Sequence, residues 1–181
     1  MKKFRVWLVA ILLAAGSALV APGPASAAPY CGLVWGSLVK ADPAMSQAQV
    51  TNVRTGQHYC FDRLVLDLNG PAAGYTVRYV PQVVQDGSGL PIALRGQAFL
   101  QVTANAPAYD ENGNATYNPA NPDELTDVTG YQTFRQVAWA GSFEGYSSLG
   151  LGVRARLPFR VFTLEGPGAG SRLVIDVAHF W

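Results

Sequence analysis

Glu144 sits in the glycine-bounded run Gly141-Ser142-Phe143-Glu144-Gly145. An acid in such a turn can donate the proton that breaks a glycosidic bond, provided a second carboxylate stands across that bond. Asp176 and Asp62 are the partners the sequence offers. The same run does not make a serine nucleophile, because Ser142 is not at the centre of a Gly-x-Ser-x-Gly elbow. Two histidines, His58 and His179, could each act as a general base near neutral pH. A polar residue at a strand end is the simpler account of both.

Metal chemistry is suggested by one segment only. Asp110-Glu111-Asn112-Gly113-Asn114 places oxygen ligands at alternating positions, as a calcium loop does. It lacks the glycine such a loop needs at its sixth position, and Asn121 stands where the bidentate glutamate belongs. A type I′ hairpin turn at Asn112-Gly113 is expected instead. No His-Glu-x-x-His or comparable spacing occurs, so the sequence assigns no metal, no cofactor and no catalytic residue.

Rings are the other candidates. Trp35, Trp139, Trp181 and Tyr146 lie among glycines and small polar residues, and such rings stack on sugar faces or anchor a protein partner. Trp35 and Trp139 are expected to fill the sandwich core, with ring stacking on a ligand as the alternative, whereas Tyr146, directly after Gly145, is expected to be exposed. The candidate binding residues are therefore Glu144, Tyr146 and Trp35.

These side chains need elements to position them. Gly, Pro, Asn and Asp punctuate short runs rich in Val, Leu, Tyr and Phe, the pattern of an all-β domain. Strands are expected over Val50–Arg54, His58–Leu68, Tyr75–Val80, Ala98–Ala104, Phe134–Ala140, Ser147–Arg154, Phe159–Leu164 and Arg172–Ala178. A short helix could start over Asp123–Val128, capped by Asn121 with Pro122 in its first turn, and Tyr131–Ala138 is ambiguous between strand and helix. The segment from Pro107 to Gly130 lacks apolar periodicity and reads as a long surface loop, either functional or without a partner.

One hexapeptide occurs twice. Arg63-Leu64-Val65-Leu66-Asp67-Leu68 returns as Arg172-Leu173-Val174-Ile175-Asp176-Val177. With a two-residue period, Leu64, Leu66 and Leu68 share one strand face, as do Leu173, Ile175 and Val177. The opposite face reads Arg, Val, Asp in both copies. Arg and Asp are four residues apart within each copy, too far for strong pairing along one strand, so their partners are expected from neighbouring strands.

The chain opens with Lys2, Lys3 and Arg5, then the apolar run Val6–Val20, then Ala25-Ser26-Ala27. That order is the pattern of a secretory leader over residues 1–27, which leaves 28–181 as a single secreted domain with no membrane span. Removing those three residues from the 13 basic ones leaves ten against 12 acidic, a net charge of −2. Without a basic cluster there is no electrostatic footprint for nucleic acid or anionic lipid. Cys31 and Cys60, the only cysteines, are expected to pair in an oxidising compartment.

The stretches Cys31-Gly32-x-x-Trp35-Gly36-Ser37-Leu38, Val53-Arg54-Thr55-Gly56-x-His58-x-Cys60-Phe61-Asp62-Arg63 and Gly141–Gly145 resemble secreted actinobacterial proteins that carry an AMIN-like domain. Pro158-Phe159-Arg160-Val161 and the second hexapeptide carry the same resemblance. The family takes its name from a looser similarity to the AMIN domain of cell-wall amidases, a pair of packed β-sheets that targets those enzymes to the envelope. The resemblance implies an antiparallel β-sandwich that is secreted, non-catalytic and bound to peptidoglycan or to an envelope protein. No amidase domain follows in this chain, and the resemblance carries over no catalytic residue. A small cell-wall hydrolase using Glu144 and a protein-binding adaptor are the alternatives.

Overall fold

The computed structural model describes residues 30–181, so the expected leader lies outside the described residues. A single 3-10 turn at Tyr30–Gly32 leads into eleven strands. They are β1 (Lys40–Asp42), β2 (Val50–Gln57), β3 (Phe61–Leu68), β4 (Tyr75–Val80), β5 (Val83–Val84), β6 (Pro91–Ile92), β7 (Ala98–Ala104), β8 (Phe134–Phe143), β9 (Tyr146–Val153), β10 (Phe159–Glu165) and β11 (Ser171–Ala178). Two antiparallel sheets pack face to face, one of five strands ordered β1-β4-β7-β9-β8 and one of four ordered β10-β11-β3-β2. The short pair β5-β6 forms a separate two-stranded ladder, with Val83 packed against Gly150 of the larger sheet. No described helix is long and apolar enough to cross a membrane.

Alternation builds the core. Leu64, Leu66, Leu173, Ile175, Val177 and Phe159 from the smaller sheet meet Val77, Leu100, Val102, Leu149, Leu151 and Phe134 from the larger, all almost fully buried. A one-residue slip of β3 or β11 would send these aliphatics outward, which fixes the register.

The duplicated hexapeptide has a simple geometric meaning. β3 and β11 are antiparallel neighbours, paired Val65 to Val174, Arg63 to Asp176 and Asp67 to Arg172. The two copies face each other about a local two-fold axis, so the arginine of one meets the aspartate of the other. Only one of the two cross-strand ion pairs forms. Arg63 binds Asp176 through Nε at 2.6 Å and through a terminal nitrogen at 2.9 Å. Asp67 is taken by Arg54 of β2 rather than by Arg172.

Loops differ from the sequence expectation where backbone groups needed partners. No helix forms at Asp123. Instead the Asn121 side chain accepts the Asp123 amide, and the Leu125 amide donates to Val137 O while Trp139 donates to Pro122 O. The segment thus caps the open edge of β8, and Gln57 reaches across from β2 to Gly130 O. Covering two sheet edges satisfies donors that a helix here would leave bare. The long loop is a strap across the side of the sandwich.

Asn112-Gly113 is not a type I′ turn either, since of the two only Gly113 has a positive φ. The Asp110 carboxylate accepts the amides of Asn112 and Asn114, and Gly113 N–H donates to Asp110 O, which closes a wider turn. Those hydrogen bonds, led by the Asn114 side chain, hold the Asp110 carboxyl below its ordinary range. Both carboxylate oxygens of Asp110 are thus engaged within the turn.

Candidate functional site

Glu144 and Gly145 form the two-residue turn between β8 and β9, with Phe143 paired to Tyr146. Both central residues have positive φ, 49° and 85°, which is the type I′ geometry favoured in tight hairpins. Glu144 is exposed and its carboxylate bonds to no described residue. Tyr146 is 40% exposed, as its place in the sequence implied. A groove of about 730 Å³ runs beside the hairpin, lined by Met45, Tyr109, Asp110, Glu111 and Gly145, but neither Glu144 nor Tyr146 walls it.

The acids proposed as partners of Glu144 are elsewhere. Asp176 lies on β11 of the other sheet and is wholly buried beneath Arg63 and Arg160. Asp62 lies inside the sandwich at its end, where Oδ2 accepts the amides of Thr133 (2.7 Å) and Phe134 (3.0 Å). Its Oδ1 is 3.1 Å from Nε2 of His179, which is equally buried. This His–Asp pair is sealed from solvent and ties β3, β8 and the end of β11 together. The other histidine, His58, is exposed and stacks on Phe61 at 4.6 Å.

A left-handed backbone costs a non-glycine residue about 1–3 kcal/mol. Glu144→Gly is therefore expected to raise stability by roughly 0.5–1 kcal/mol after glycine's own entropic cost. The denaturant midpoint measures this, and a fall would show that the turn depends on the glutamate side chain.

The rings separate into different environments. Trp139 packs against the core beside Tyr117 at 5.1 Å, as an interior ring should. Trp181 is 66% exposed and donates its indole N–H to Arg156 O. Trp35 does not enter the core. The Cys31–Cys60 disulfide, with Cα atoms 6.1 Å apart, ties its segment to the start of β3. Phe159 N–H donates to Gly36 O, and Lys40 Nζ to Trp35 O. Trp35 is thereby laid, half-buried, over the outer face of the four-stranded sheet.

On that face two guanidiniums are interleaved with rings. The Arg160 guanidinium lies 4.6 Å from the Trp35 ring centre and 4.9 Å from that of Phe162. Arg63 lies 5.2 Å from Phe61 and 5.6 Å from Phe162. Trp35 meets Phe61 edge-on at 5.6 Å. Register explains the array, since Arg160, Asp176 and Arg63 are directly opposite one another on β10, β11 and β3. Hydrogen bonding to Asp176 holds the Arg63 guanidinium above its ordinary range, although burial works against it.

The two outer faces of the sandwich are not equivalent. Against the larger sheet the chain itself packs closely. A Cβ placed on Gly152 would lie 1.9 Å from Arg95 O, and one on Gly150 would lie 2.7 Å from Leu94. On the smaller sheet the Trp35 segment lies over one end and the central outward residues Val65, Val174 and Asp176 are buried, while Arg54, Arg160 and Leu164 reach solvent. Sequence reasoning named Trp35 as a candidate but expected it in the core, and it missed Arg160, Phe162 and Arg172. Their signal is alternation of arginine and aromatic residues on outward positions, which becomes visible only once the strand order is known.

Comparison with curated proteins and with solved structures finds no match to this chain. The family profile of the AMIN-like domain matches residues 48–179, which takes in every strand but β1. The chain therefore belongs to the AMIN-like domain family.

Proposed function

We propose that this protein is a secreted, non-catalytic module that binds the cell envelope, with peptidoglycan as its ligand. The observation that carries the reading is the outer face of the four-stranded sheet, where the Trp35 and Phe162 rings lie against the half-exposed Arg160 guanidinium. Rings fixed at a surface by an ion-paired scaffold offer a stacking platform for sugar rings at little cost in ordering. Family membership supports the same reading, because the family is named for its likeness to the domain that targets amidases to the wall. The leader expected over residues 1–27 would deliver the protein to that compartment.

A second reading places contact at the Glu144–Tyr146 hairpin, favoured by the positive φ of Glu144. Backbone strain concentrates at ligand clamps, and a protein-binding adaptor would use such a protruding turn. Co-sedimentation with purified insoluble peptidoglycan tests both, at concentrations that register micromolar or weaker affinity. Trp35→Ala is expected to reduce retention several-fold, while the Glu144→Gln/Tyr146→Ala double variant leaves it unchanged. The opposite pattern would move the site to the hairpin. Steady release of sugars or peptides that Glu144→Gln abolishes would replace binding with hydrolysis.

A further inference from the structure

The outer face of the four-stranded sheet has more cationic capacity than its own acids use. Arg54, Arg63, Arg160 and Arg172 project from it and share two carboxylates, Asp67 and Asp176. Arg54 and Arg63 each hold one carboxylate with two N–H groups. Arg160 gives Asp176 only its Nε, at 2.8 Å. Trp35 and Phe162 lie against that guanidinium, and its terminal N–H groups have no hydrogen-bond partner among the described residues. Its side chain is 41% exposed. Among the described residues Arg172 holds no carboxylate, gives one terminal nitrogen to Glu165 O, and has a buried Nε without a partner.

Building on the envelope-binding reading, we propose that this face is a carboxylate-reading site for an acidic glycan. A sugar ring stacks against Trp35, one carboxylate of the glycan or its peptide substituents takes the Arg160 fork, and another reaches Arg172. The face already contains this interaction in internal form, since Asp176 and Asp67 are each held by two guanidinium N–H groups of one arginine. A planar fork with fixed donors matches a carboxylate bidentately, which a lysine cannot do. Four guanidiniums against two carboxylates is a modest excess. That suits a chain with sparse carboxylates better than a polymer with a phosphate on every unit.

Arg160 and Arg172 belong to neighbouring strands and are offset by four residues, since Arg160 faces Asp176. At about 3.3 Å per residue they are roughly 13 Å apart along the strand direction. The ligand must therefore run along the strands to meet both.

The test uses the full chain and insoluble peptidoglycan in three forms: native, with carboxylates converted to amides, and stripped of phosphate polymers by acid. Amidation is expected to weaken retention about tenfold or more, the scale of one charge-assisted hydrogen bond. Stripping phosphate should leave it unchanged. Arg172→Gln and Arg160→Gln should each weaken binding to native wall to a similar extent and have little effect on amidated wall. Thermal melts check folding, and Arg172→Gln decides if Arg160→Gln unfolds, because Arg172 holds no carboxylate. Binding that ignores amidation and both variants overturns the carboxylate site but leaves envelope binding standing. Binding lost on phosphate removal overturns it in favour of a phosphate polymer. Failure to bind any form of wall overturns both proposals.

Discussion

Replacing Asp62 with alanine is expected to cost about 3–5 kcal/mol, a large part of the stability of a domain this size. The carboxylate is wholly buried, so no water replaces it. Its loss strands the amides of Thr133 and Phe134 and removes the hydrogen-bond partner of Nε2 on the buried His179 ring, whose Nδ1 has no partner among the described residues. An unsatisfied buried donor costs about 1–3 kcal/mol. The anchored elements add to the effect, because Thr133 also donates to Ala178 O and His179 N–H to Cys60 O. Urea denaturation measures it directly. A cost below about 1 kcal/mol would mean that solvent reaches the site. Asp62→Asn keeps one acceptor for the two amides and is expected to lose less.

Removing the disulfide by Cys31→Ser and Cys60→Ser should destabilise the protein by roughly 3–4 kcal/mol. That is the chain-entropy figure for a loop of 29 residues. The functional consequence is separate from the stability loss. The bridge is what brings the N-terminal segment back to β3, and with it the Trp35 ring over Arg160. At a temperature where the reduced protein is still folded, wall binding should fall several-fold while the far-ultraviolet circular dichroism stays that of a β-sandwich. Unchanged binding would show that Trp35 is held without the staple, or is not needed.

Much of this architecture could be read locally. Leu64, Leu66, Leu173 and Ile175 alternate with polar or outward residues, and that alternation placed β3 and β11 and assigned their buried faces. Tyr75–Val80 and Ala98–Ala104 have the limits expected from their turn residues. The His58–Leu68 expectation ran three residues too long, because the turn at Tyr59-Cys60 contains no glycine, proline or asparagine to mark it. β1, β5 and β6 are two or three residues each and have no readable period.

The candidate site was less legible for a physical reason. Glu144, Tyr146 and Trp35 were chosen by residue type and local setting. The array of Arg160, Asp176 and Arg63 depends on which strands are neighbours and in what register, and no local window contains that. The matching Arg and Asp of the two hexapeptides were the one trace of it in the sequence. They pointed to partners on neighbouring strands, and Arg63 with Asp176 is that pair. Asp67 departed from the symmetry: Arg54 of β2 holds it, while Arg172 donates to Glu165 O.

The most direct test of envelope binding through the smaller sheet is amide and indole chemical-shift mapping with soluble peptidoglycan fragments. Shifts are expected at the Trp35 indole and at Arg160, Phe162 and Arg172, with the Gly150–Gly152 face of the larger sheet silent. Shifts confined to Glu144–Tyr146, or none at fragment concentrations well above micromolar, would contradict it.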